Sequence, residues 1–339
     1  MCKQIIKLFI WLGGWIRAHG AQADIDSPPA ELVRYTESRP REVHGVVAAA
    51  QLHMAPAKRV GVFERIIDPE RPRRVAQGFS FRSPIETSYP ENNTCYGVKW
   101  YGEGHQKAAT AVVMTHGAFV FSLLAERVLS APLLGRDVHV YGLVAPYHMK
   151  RAPKKSSYSG QYLLSGDIPR LIEGLIQATA EVRALVQALK QLGYRTVLLF
   201  GTSMGGNVAA ESLTMTDADG GFLFIPAVDF HRLIEEAPLT SGVRRAYRAA
   251  GFTREDTEKA MEVVKPWRLG LPRCGTERVH ILYGLQDRQV PSDTVERLIE
   301  AWPGVSSTAW AENHRSMAVN LLKIRQLLAE WCTTFQDDP

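Results

Sequence analysis

Apolar positions in this chain follow two different spacings, and the switch from one to the other repeats along most of its length. Runs of strand composition stand at 78–87, 93–101, 111–114, 138–143, 196–200, 222–228, 279–283 and 305–309. Several are continuously apolar through their middle, as strands covered on both faces are. The first two join through a turn containing Pro90, Asn92 and Asn93. Between the later runs, apolar residues fall three and four apart. The clearest such stretch begins at Asp167, a suitable N-cap, and carries Ile168, Leu171, Ile172, Leu175, Val182, Leu185, Val186 and Leu189 as one stripe ending before Gly193. Further helices are expected at 121–129, 293–302 and 315–331, and a weaker one around 42–54. Strand and helix trading places in this way predict an α/β fold, with a mostly parallel central sheet of about eight strands and helices on both faces.

The pattern divides the chain into an N-terminal extension, 1–77, and one domain, 78–339. Within the domain, 229–266 is longer than an ordinary connection. Its His231, Leu233, Ile234, Val243, Tyr247 and Phe252 suit a helical lid over a pocket, or equally helices packed into the core. The first residues, 1–23, read in three ways. Lys3 and Lys7, the apolar run from Leu8 to Ile16 and Ala21-Gln22-Ala23 outline a signal peptide, and on that reading the protein is exported. Gly13-Gly14 and Arg17 interrupt that outline. Lys3, Lys7, Gly14 and Arg17 share one side of a helical wheel, the pattern of an interfacial helix giving a cytoplasmic protein peripheral membrane contact. A helix packed on the protein itself is the third reading.

Composition narrows the classes. With 45% hydrophobic residues in 339 positions, the chain can bury a large core. Its net charge of +5 comes from interleaved basic and acidic residues, so no nucleic-acid surface is expected. Cys2, Cys95, Cys274 and Cys332 are scattered and form no Cys/His cluster, which points to free thiols and to no metal site.

The chemistry gathers around Gly201-Thr202-Ser203-Met204-Gly205. This G-x-S-x-G pentapeptide lies between an apolar strand and a helix carrying Val208, Ala209 and Leu213. A chain turning that sharply needs glycine on both flanks, and it presents Ser203 at the apex with the Met204 N–H at a helix start beside it. A serine hydroxyl needs a base, and the base a partner that holds its tautomer. Asp287, in GLQDRQVP, and His314, in WAENHRSM, each follow a strand at the end where such groups collect in open α/β sheets. Asp229, after the strand at 222–228, competes with Asp287 for the acid's place. Glu312 reads as a loop carboxylate, His116 as a structural part of the loop it stands in rather than as the base, and His148 and His231 as pocket or surface residues. The connection from Pro146 to Lys155 carries four positive charges and no acid. It reads either as a basic surface facing an anionic acyl group or an acidic lipid surface, or as a solvated loop in which Tyr147 and Arg151 pack.

With His116-Gly117, Gly201 to Gly205, Asp287 and His314 each at a strand end, the sequence from about Gly78 onward resembles the α/β-hydrolase superfamily, in its serine esterase and lipase-like branch. The resemblance implies Ser203 as nucleophile, His314 as general acid/base and Asp287 as orienting acid. It implies an oxyanion hole from the N–H groups of Met204 and Ala118, with Phe119 as the alternative to Ala118. The implied activity is hydrolysis of a carboxylic ester in a small-molecule substrate, through an acyl-enzyme and with no cofactor. Acyl transfer, thioester or peptide cleavage and a non-catalytic binding role use the same framework.

Overall fold

A computed structural model describes residues 47–57, 74–134 and 136–335 of the chain. The N-terminal segment 1–23, with its signal-like or interfacial character, lies outside the described residues. Among those that are described, no helix is long and apolar enough to cross a membrane.

One sheet organises the molecule. Its strands are β1 (His53–Ala57), β2 (Arg74–Arg82), β3 (Thr94–Gly102), β4 (Thr110–Thr115), β5 (Val138–Val144), β6 (Thr196–Thr202), β7 (Gly220–Phe224), β8 (Val279–Gly284) and β9 (Ser306–Trp310). They lie side by side in the order β1-β2-β3-β5-β4-β6-β7-β8-β9. From β5 to β9 every neighbouring pair is parallel, and β1, β2 and β3 add an antiparallel edge. The sheet thus has nine strands, one more than the eight apolar runs predict. The additional strand is β1, from the stretch expected to be an extension and partly expected to be helical. Its sequence HMAPA holds Pro56, which cannot donate to a ladder and is tolerated because β1 is an edge strand.

Among the described residues ten α-helices connect and cover these strands: α1 (Leu124–Ser130), α2 (Ile168–Gln191), α3 (Met204–Met215), α4 (Phe230–Glu236), α5 (Ser241–Ala249), α6 (Arg254–Met261), α7 (Pro266–Leu269), α8 (Ser292–Ala301), α9 (His314–Val319) and α10 (Leu321–Thr333). The α2 boundaries follow the sequence signals, and the Asp167 side chain accepts from the Arg170 N–H at its start. The single helix expected over 315–331 is two, α9 and α10, parted at Asn320, whose φ −85° and ψ 34° lie outside the helical region.

Period-two alternation sends strand residues to opposite faces. Val113, Leu143, Leu199 and Ile281 join α2, α3 and α8 in one core layer, while Val112, Val140, Leu198 and Phe200 meet α1 and α10 in the other. Burying a side chain such as Leu199 contributes about 2–3 kcal/mol, so a parallel strand apolar on both faces is held from both sides. The segment 229–266 forms α4 to α6 and leads into α7, and its Phe230, Ile234, Val243, Tyr247 and Phe252 belong to the first of these layers. It packs closely on the approach to α2, where a Cβ added to Gly166 would lie 2.6 Å from Ala246 Cβ.

Candidate active site

Ser203 is the single residue between the end of β6 and the start of α3. Its φ of 52° and ψ of −113° put a non-glycine residue in a sparsely populated region, at a cost of about 1–3 kcal/mol. The neighbouring backbone holds it there. The Ser203 N–H donates to Phe224 O at 2.9 Å, and its carbonyl accepts from Gly206 and Ala227 N–H, both at 2.9 Å. Glycine is required on both sides of the turn. A Cβ on Gly201 would stand 2.2 Å from Gly205 O, and one on Gly205 2.3 Å from Thr115 O. Thr115 fastens the same crossing from β4, its hydroxyl donating to Gly205 O at 2.8 Å.

Asp287 and His314 meet at the same carboxyl end of the parallel strands, on the connections leaving β8 and β9. His314 Nδ1 lies 2.6 Å from Asp287 Oδ2. The other carboxylate oxygen accepts the N–H groups of Gln289 at 2.8 Å and Val290 at 2.9 Å, so the buried Asp287 is fixed from its own loop. An acceptor carboxylate at Nδ1 keeps the proton on that nitrogen and leaves the Nε2 lone pair free. Among the described residues no hydrogen bond joins Ser203 Oγ to His314. Asp229 is committed elsewhere: it caps α4 through the Arg232 N–H at 3.1 Å and lies 3.4 Å from Lys265 Nζ.

The loop after β4 runs beside the serine, since a Cβ on Gly117 would come 3.6 Å from Ser203 Cβ. Two buried histidines set its shape, a structural role expected of His116 and not of His148. His116 Nε2 accepts the Ala145 N–H at 3.0 Å, so its proton is on Nδ1 and is donated to Gly117 O at 2.7 Å. Burial pushes its ionisation down to about 4. His148 Nε2 accepts the Phe119 N–H at 3.2 Å while Nδ1 donates to Pro146 O at 2.8 Å, and burial holds it well below the usual histidine range. Their rings meet edge to face at 4.9 Å. Phe119, at φ 60°, therefore has its N–H already occupied. Ala118 N–H has no hydrogen-bond partner among the described residues, and Met204, first in α3, has an N–H without an intrahelical acceptor.

The basic connection after β5 is largely interior. Arg151 is buried and grips Glu181 of α2 with both terminal nitrogens, at 2.6 and 2.7 Å, while also donating to Val144 O and Asn92 O. Lys150 Nζ sits 3.3 Å from the Tyr96 ring centroid, and Lys154 and Lys155 are exposed. Among the described residues no group of three or more His, Cys, Asp or Glu side chains could hold a metal ion.

No protein-family model matches the sequence, and neither does any curated protein. Solved structures do match. An acetyl xylan esterase from Paenibacillus sp. R4 aligns with a TM-score of 0.60 at 9% identity, over 91% of this chain and 97% of its own. Acetyl Xylan Esterase 1 from Thermoanaerobacterium sp. JW/SL YS485 gives 0.57 at 11% identity, over 91% and 98%. A cold-adapted esterase from an Arctic intertidal metagenomic library gives 0.52 at 15%, over 78% and 96%. At these identities the likeness is one of architecture, and the architecture is the α/β-hydrolase fold.

Proposed function

We propose that this protein is a serine hydrolase that cleaves a carboxylic ester of a small molecule, with Ser203 as nucleophile, His314 as general base and then acid, and Asp287 as its orienting partner. The observation that carries this reading is the 2.6 Å contact between His314 Nδ1 and Asp287 Oδ2, at the carboxyl end of the parallel strands where Ser203 stands in its strained turn. That contact leaves Nε2 as the available base. Ser203 Oγ attacks the ester carbonyl as His314 Nε2 takes its proton, and Asp287 stabilises the imidazolium. The tetrahedral oxyanion is received by the N–H groups of Ala118 and Met204, each such donor contributing about 3 kcal/mol at the transition state. Phe119 is set aside as a donor because His148 already holds its N–H. Collapse of the intermediate returns the proton to the leaving alcohol. Water, activated by the same imidazole, then frees the acid from Ser203. The serine and histidine draw together when substrate fills the site, as catalytic contacts in free enzymes commonly do.

The esterase activities named for the structural neighbours agree with an ester as substrate. A fluorophosphonate probe tests the reading. The folded protein should be labelled at Ser203 and hydrolyse short nitrophenyl esters, and Ser203→Ala should do neither. An unlabelled wild-type protein would remove the proposal.

A further inference from the structure

A polar cavity of about 220 Å³ lies between α4, α6 and α8. Two of its walls continue the strands that build the serine site. Asp229 follows by two residues Ala227, whose N–H donates to Ser203 O, and α8 begins five residues after Asp287.

Much of the charge around it is already paired. Arg232 is held by Glu236 and Asp293, and Lys265 by Glu262 and Asp229. Two exposed guanidiniums on the cavity wall, Arg254 and Arg297, form no salt bridge among the described residues. Arg297 lies 5.1 Å from the Trp267 ring centroid.

The third unmatched group is His231, 3% exposed. Thr257 Oγ1 spends its proton on Arg254 O at 2.8 Å, so towards His231 Nδ1, 3.3 Å away, it is the acceptor. Nδ1 therefore carries the ring proton, and Nε2 is a buried acceptor without a partner. The closest carboxylate, Glu258, is 4.0 Å from Nε2, beyond hydrogen-bonding distance. Burial keeps the imidazole below its ordinary ionisation range, hence neutral near pH 7. The wall thus combines a lone pair that needs a donor with two cations that need an anion. Its volume equals that of about seven waters, room for one sugar-sized ring.

We propose that this cavity binds a small polyhydroxylated anion, a sugar acid or sugar phosphate, with a hydroxyl donating to His231 Nε2 and the anionic group held between Arg254 and Arg297. The site is independent of chemistry at Ser203 and stands whether or not esters are hydrolysed there.

Calorimetric titration of the full chain, as wild type and as Ser203→Ala, tests it with glucuronate and glucose 6-phosphate as probes and glucose and acetate as controls. At least one anionic probe should bind saturably at one site per chain, equally in both proteins, with glucose and acetate each weaker by about tenfold or more. Arg254→Ala combined with Arg297→Ala changes only exposed side chains and should weaken the bound probe by about tenfold or more. His231→Phe, checked for native circular dichroism, should bring the probe's affinity down towards that of acetate. The proposal is overturned if neither anion binds, if the double arginine variant binds as wild type does, if acetate matches the hydroxylated anions, or if Ser203→Ala abolishes binding.

Discussion

Glu211→Gln should stabilise the protein increasingly as pH rises. Glu211 lies two turns into α3, the helix that starts at the serine turn, and is 2% exposed. Burial pushes its carboxyl from 4.5 up to about 8, against the opposing pull of hydrogen bonds from Thr179 Oγ1 at 3.0 Å and Asn207 Nδ2 at 2.5 Å. Between those two values the folded chain holds a proton at Glu211 that the unfolded chain has released. Stability must then fall as pH rises, by about 1.4 kcal/mol per unit. Over the interval from 4.5 to about 8 the loss reaches about 5 kcal/mol. Glutamine keeps the shape, serves the same two partners and never ionises. Urea unfolding of both proteins across this range should show a stability difference close to zero in acid, growing by about 1.4 kcal/mol per unit and levelling near pH 8. Subtracting wild type from variant cancels other groups that titrate in the window, including Glu126, which burial pushes up to about 7. A difference that stays constant with pH, or shrinks as pH rises, would refute the reasoning.

Three further outcomes are expected. Asp287→Asn should lower kcat by about 10⁴-fold, whereas Asp229→Asn, which caps a helix as well as Asp does, should leave kcat unchanged in the same ester assay. His148→Phe removes the acceptor of the Phe119 N–H and should reduce kcat by about tenfold to a hundredfold with little change in KM; His148→Gln, which restores an acceptor, should recover part of it. Arg151→Ala strands the Glu181 carboxylate inside the protein and should cost about 3–5 kcal/mol, read as a fall in Tm on the order of 10 °C.

How much of this was legible before the structure follows from the range of the interactions involved. The parallel strands were readable because a strand buried on both faces must be apolar throughout, as β4 and β6 are. The serine turn was readable because its glycines answer a local steric demand. β1 was missed because its pairing depends on β2 and its own residues include a proline. The break at Asn320 was missed because the apolar spacing continues across it. In the site, the choice between Asp287 and Asp229 rests on a contact between residues 27 apart, and the choice between Ala118 and Phe119 on one spanning 29. His116 could be placed in the loop after β4 from its His-Gly pair, but His148 carried no local signal for its role, since nothing in a sequence marks which imidazole nitrogen will meet a backbone N–H.

The paired histidines behind the serine impose an asymmetry on the protein's response to acid. Each accepts a main-chain N–H through Nε2 and can do so only while that nitrogen is unprotonated. From 6.5 down to about 4, the folded chain declines at His116 a proton that the unfolded chain accepts, so acid draws on the stability of the whole fold while the loop beside Ser203 keeps its form. Loss of function by this route is cooperative with unfolding.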